Sequence, residues 1–259
     1  MLLLSFPMDQ MVLLFFIMIR VSAILFTLPF LDARNVPILL KAGLALAVSW
    51  MLMPQLNVAP PVLPSNPVAF GIGVASEVGI GVIIGLAVQL LFVGIQLAGQ
   101  IAGFQMGFAI ANVVDPVSSL QIPMLSQFLY LFSMVLFLSL DLHHHFLRAL
   151  MEAFERIPLW GASFNGNLFE LVMNLAAECF VVAVKIGSPV MAAMLLTSVA
   201  LGLIARTVPQ MQIFVVAMPL KILLGLAFLG LSIPFCVSFL QRAFVTLGQT
   251  VQRMIGLFI

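Results

Sequence analysis

The sequence predicts an all-α, membrane-associated fold of helical hairpins whose helices are kinked and broken. Three observations carry that expectation. Hydrophobic residues make up 63% of the 259 and charged residues only 7%, and a mean hydropathy of +1.25 exceeds what a water-soluble globule of this size tolerates. Apolar runs of helix length alternate with short breaks where polar residues or prolines gather. Prolines also fall inside or at the edge of the runs, at Pro123, Pro189, Pro219 and Pro234, so bent helices are expected rather than straight rods.

The first run extends from about Met8 to Leu31 and is expected to be a retained helix, because the start MLLLSFPMDQMVLLFFIMIR lacks the basic segment of a cleavable signal. A break at DARNVP precedes a second run, Ile38 to Met53. Arg34 and Lys41 mark that break as cytoplasmic if both runs span, which puts the next connection, PQLNVAPPVLPSNP, on the far side. Its five prolines keep it extended. From Val68 to Ala111 the chain stays apolar for 44 residues, about 66 Å as one helix, so it must bend back or protrude. A loop around Asn112 to Pro123 follows, then a run from Met124 to Leu140 and a more mixed helix from Asp141 to Ile157. The connection PLWGASFNGN leads to Leu168 to Ala205, the RTVPQ break, Met211 to Leu240 and a tail ending at Ile259.

Glu77, Glu178, Lys185 and Lys221 lie within or beside apolar runs, and block lengths as different as 44 and 16 residues fit one bilayer poorly. Such helices pack better against other protein chains than against lipid alone. The 16 Met and 23 Phe make a soft apolar surface suited to partners that repack. A net charge of +1 offers no basic patch and argues against nucleic-acid binding. Cys179 and Cys236 stand singly in apolar runs and are expected as small buried side chains.

Gly81 and Gly85, then Gly99, Gly103 and Gly107, recur at four-residue steps, a ridge that lets another helix approach closely. Gln89, Gln96 and Gln100 form a polar stripe nearby. Close packing within the chain, a partner subunit and an aqueous route are all compatible with this face. In NVVDPVSSLQIP, Asp115-Pro116 and two serines, Ser118 and Ser119, form a turn. A loop this long serves either as a surface connection or as an obstruction folded into a path.

The run His143 to His145 suggests a metal, but side chains on successive helical residues point about 100° apart, so the three cannot all bind one ion and no metal is expected. DLHHHFLRALMEAFERIP instead reads as an amphipathic helix, with Arg148, Glu152 and Arg156 spaced for ion pairs. Nucleophile elbows, phosphate loops and zinc-protease patterns are absent from the sequence, so neither catalytic nor cofactor-binding residues are assigned. One alternative function is an ion-coupled secondary transporter of a small solute, with Glu77, Glu178 and Lys185 as its coupling site. The other is a membrane enzyme built on the histidines.

Taken in order, these features resemble the FliR family of flagellar export-gate proteins, which has counterparts in type III secretion. The resemblance rests on Arg20, Pro29 and Pro37, on AGQIAGFQMGFAIANVVDP, on His143-His144 followed by Pro158, on Pro189, and above all on ALGLIARTVPQMQIFVVAMPLKI. It implies a non-enzymatic subunit of a pore-forming gate in the bacterial inner membrane at the flagellar basal body. FliP-type, FliQ-type and FlhB-type proteins are the implied partners, with unfolded proteins in transit and membrane lipids in contact. Residues 1–165 would correspond to a FliP-like portion and 166–259 to a FliQ-like hairpin and tail. The resemblance further implies a plug loop near 108–122, so Met106, Phe108, Asn112, Asp115, Pro116, Ser118 and Ser119 become pore or plug residues. Gly99, Gly103, Gly107, Gln96 and Gln100 would pack helices around the lumen. Arg206, Pro209, Gln210 and Lys221 would form and dock the turn of the C-terminal hairpin.

Overall fold

The computed structural model describes residues 8–29, 36–56, 66–108, 124–207 and 213–258. Among them the regular structure is all helix: α1 (Met8–Thr27), α2 (Ile38–Leu52), α3 (Pro67–Met106), α4 (Met124–Ser139), α5 (Leu142–Arg156), α6 (Gly166–Thr207) and α7 (Ile213–Leu257). Four of these, α1, α3, α6 and α7, are long and apolar enough to cross a membrane. The 15 residues of α2 reach only about 22 Å, short of a hydrocarbon core of about 30 Å. Helix α2 therefore falls short of the full span that a cytoplasmic DARNVP break requires of both early runs.

Three of the prolines in or beside the apolar runs lie within helices. Helix α6 continues through Pro189 and α7 through Pro219 and Pro234. At Pro189 the missing N–H deprives the Lys185 carbonyl of its helical donor, and the Ser188 hydroxyl donates to that oxygen at 2.9 Å instead. The long α3 is a single 40-residue helix. Of the two outcomes its length allowed, bending back or protruding, the first does not occur.

The chain forms two compact units. Unit 1 comprises 1–90, 141–175 and 245–259; unit 2 comprises 91–140 and 176–244. In unit 1, α1 packs against α2 and runs parallel to α3, since Arg20 meets Glu77 and Gly81 while Thr27 meets Gly85 further along both helices. Phe16, Phe70 and Trp160 form an aromatic knot with ring centroids 5.2–6.0 Å apart. The C-terminal end of α7 exposes carbonyls with no helical donor; Ser163 donates to Phe258 O through its N–H and hydroxyl, and Asn165 Nδ2 donates to Leu257 O at 2.9 Å. The Asn165 Oδ1 in turn accepts from Leu168 N at the start of α6.

In unit 2, Phe92, Phe137 and Phe244 meet at 5.4–5.9 Å. Helices α6 and α7 lie antiparallel here: Lys185 Nζ sits 5.7 Å from the Phe239 ring, and Ile186 to Val190 share a small cavity with Leu229 to Cys236. Both cysteines are free and buried, as the sequence led us to expect.

Candidate functional site

Two features stand out as candidates, a buried charge cluster in unit 1 and the close-packed end of α3 in unit 2. The first was not legible as a cluster in the sequence. Arg20 lies in the buried stripe of α1 formed with Phe16, Ile17, Val21 and Ile24, and like Glu77 it is 0% exposed. Its Nε donates to Glu77 Oε2 at 2.6 Å, and Nη1 donates to Ala153 O at 3.1 Å and Ile157 O at 3.3 Å. Those carbonyls close the C-terminal end of α5, where the helix dipole favours a cation. Phe154 adds a cation–π contact, its ring centroid 4.5 Å from Arg20 Cζ. Glu77 Oε1 accepts the Trp160 N–H at 3.1 Å, and Trp160 holds a positive φ of 71°. One buried pair thus joins α1, α3, α5 and the segment leading to α6. The signal in the sequence was two opposite charges in separate apolar runs.

This pairing also bears on the transporter alternative. Glu77 is neutralised by Arg20, whereas Glu178 and Lys185 are exposed on α6. A coupling site uniting the three has lost its buried carboxylate to another partner.

The glycines divide by what surrounds them. A Cβ on Gly81 would stand 2.5 Å from Ala23 Cβ and 2.9 Å from Arg20 O, and one on Gly85 would overlap the Thr27 side chain. At Gly99 it would meet Ser126 Cα at 2.5 Å and Leu125 O at 2.8 Å, with Ser126 Oγ donating to Gln96 O nearby. These positions serve packing within the chain. Among the described residues a Cβ on Gly103 would make only ordinary contacts, with Leu125 Cβ at 3.8 Å and Phe108 Cδ2 at 3.9 Å, and one on Gly107 would make none within 4 Å; the φ of +93° at Gly107 turns the backbone out of α3. Gln96 and Gln100 are half-buried.

Met106 is fully buried in unit 2 with Ala102, Leu125, Val190, Ala193 and Met194, and Phe108 packs against that cluster. Gly225 makes the space for it: a Cβ there would lie 2.5 Å from Met106 Cε. Met106 therefore fills the core of unit 2. Asn112, Asp115, Pro116, Ser118, Ser119, Pro209 and Gln210 lie outside the described residues. Arg206 is exposed in the last turn of α6, and Lys221 is half-buried on α7.

Helix α5 is amphipathic as its spacing suggested, and Arg156 Nη2 pairs with Glu152 Oε1 at 2.7 Å. At the start of α5, His143 and His144, with Asp141, bring ligand atoms within 4.8 Å of one another.

Long apolar helices, a buried ion pair and glycine-mediated contacts define an all-helical integral membrane protein. The model of bacterial export proteins, family 1, matches residues 11–247. Among curated proteins, the chain is 30% identical to flagellar biosynthetic protein FliR of Escherichia coli (strain K12) over 249 residues, 93% of each chain. It is 30% identical to the FliR of Bacillus subtilis (strain 168) over 244 residues, again 93% of each. With the FliR of Aquifex aeolicus (strain VF5) it shares 30% over 227 residues, 87% of this chain and 86% of the relative. The chain belongs to the FliR family of bacterial export proteins.

Proposed function

We propose that the chain is a core subunit of the flagellar type III protein export gate, in the bacterial inner membrane at the basal body. With FliP- and FliQ-type partners, joined by a FlhB-type protein, it forms a channel for unfolded export substrates. The observation that carries this reading beyond family membership is helix length set against apolar exposure. Helices α3, α6 and α7 have 40, 42 and 45 residues, about 60–68 Å, roughly twice the hydrocarbon thickness. On α7, Leu220, Leu223, Phe228, Leu231, Phe235 and Val245 all remain exposed. Acyl tails can cover only part of such a surface, and sister subunits are the natural cover for the rest.

In this gate the segment near 108–122 is the plug, centred on Asp115-Pro116, and the turn with Arg206, Pro209, Gln210 and Lys221 docks the C-terminal hairpin on partners. Met106, buried against Gly225, reaches the passage only after that packing opens. The chain itself hydrolyses nothing, and energy for transport comes from elsewhere in the apparatus. Extraction in mild detergent tests the assignment: stable co-purification of small hydrophobic partners is expected. A monodisperse lone chain that takes up solute would overturn it in favour of a transporter.

A further inference from the structure

The start of α5 holds three metal-ligating side chains whose ligand atoms all lie within 4.8 Å of one another: those of Asp141, His143 and His144. Sequence spacing concealed them because Asp141 is not helical. It precedes α5 in the left-handed region, φ 53° and ψ 26°, so its carboxylate escapes the 100° step that separates helical neighbours. The rings of His143 and His144 stand 4.1 Å apart, tilted by 39°. His144 Nδ1 and Asp141 Oδ1 are 3.6 Å apart, beyond the N–H···O range of about 2.7–3.2 Å. That separation is close to the roughly 3.4 Å between two atoms bound tetrahedrally to one ion at about 2.1 Å. His143 Nδ1 is buried and has no hydrogen-bond partner among the described residues, which is uncommon for a buried polar nitrogen.

We propose that Asp141, His143 and His144 bind a borderline divalent transition-metal ion of the Zn²⁺ type. Two imidazoles with one carboxylate suit Zn²⁺, Co²⁺ or Ni²⁺, whereas Ca²⁺ and Mg²⁺ take oxygen ligands. The Asp141 charge offsets the helix N-terminus, whose dipole disfavours a cation. The side chains of His144 and Asp141 are 66% and 75% exposed, so an ion enters from water and the ligands close on it by rotamer adjustment. Binding braces the first turn of α5 against the residue before it.

The test is a Co²⁺ titration of the full chain in detergent, carrying no polyhistidine tag and followed by visible absorption. One Co²⁺ per chain is expected, displaced by Zn²⁺. Asp141→Asn should weaken binding by about tenfold or more and His143→Gln with His144→Gln should abolish it, because each removes first-coordination ligands. His145→Gln should leave it unchanged. The proposal is overturned if Co²⁺ does not saturate, or if binding survives Asp141→Asn and disappears with His145→Gln, the behaviour of a plain histidine run.

Discussion

Arg20 and Glu77, 57 residues apart, form an ion pair at 2.6 Å with both side chains excluded from solvent. The desolvation penalty of such a pair is large, and removing one partner strands the other charge. Arg20→Ala or Glu77→Ala alone is expected to destabilise the protein by about 3–5 kcal/mol. Arg20→Met combined with Glu77→Leu should recover much of that loss. Thermal unfolding of the four proteins in detergent decides the matter; single variants as stable as the parent would show that the pair does not stabilise the fold.

The glycine ridge should show graded sensitivity. Gly99→Ala drives a methyl into Ser126 Cα and the Leu125 carbonyl, backbone that cannot swing away, and overpacking of this kind costs about 1–3 kcal/mol. Gly103→Ala meets, among the described residues, only ordinary contacts at 3.8 and 3.9 Å and should be nearly neutral. Equal melting temperatures for the two variants would contradict the close approach of α3 and α4.

Met106 and Gly225 should be energetically coupled. Met106→Ala leaves a cavity, at about 2–5 kcal/mol, and Gly225→Ala collides with the Met106 side chain, whose Cγ, Sδ and Cε all lie within 2.7 Å of the added carbon. Combined, the changes relieve each other, so the double variant should be more stable than the sum of the singles by about 0.5–3 kcal/mol. Strict additivity in a denaturation cycle would show that the two sites do not interact.

Removing Asn112 to Gln121 should leave the gate assembled and raise its ion leakage, if this segment is the plug we propose. Conductance of the assembled gate in planar bilayers is the measurement. An unchanged closed-state conductance in a normally assembled complex would argue against the plug.

Membrane association, helical class and approximate helix positions came from the sequence alone. The run expected from Leu168 to Ala205 is a helix over Gly166–Thr207, and the first run gave Met8–Thr27. These features are legible because hydropathy and proline placement act locally, residue by residue along the chain. Only the tertiary structure decided that Glu77 faces Arg20, that Gly81, Gly85 and Gly99 admit neighbouring helices, that Met106 fills the space beside Gly225, and that Asp141 turns toward two histidines. Those outcomes depend on which helix faces meet and on single backbone angles, such as the φ of 53° at Asp141. Periodicity names the face a residue occupies; packing selects what stands opposite it.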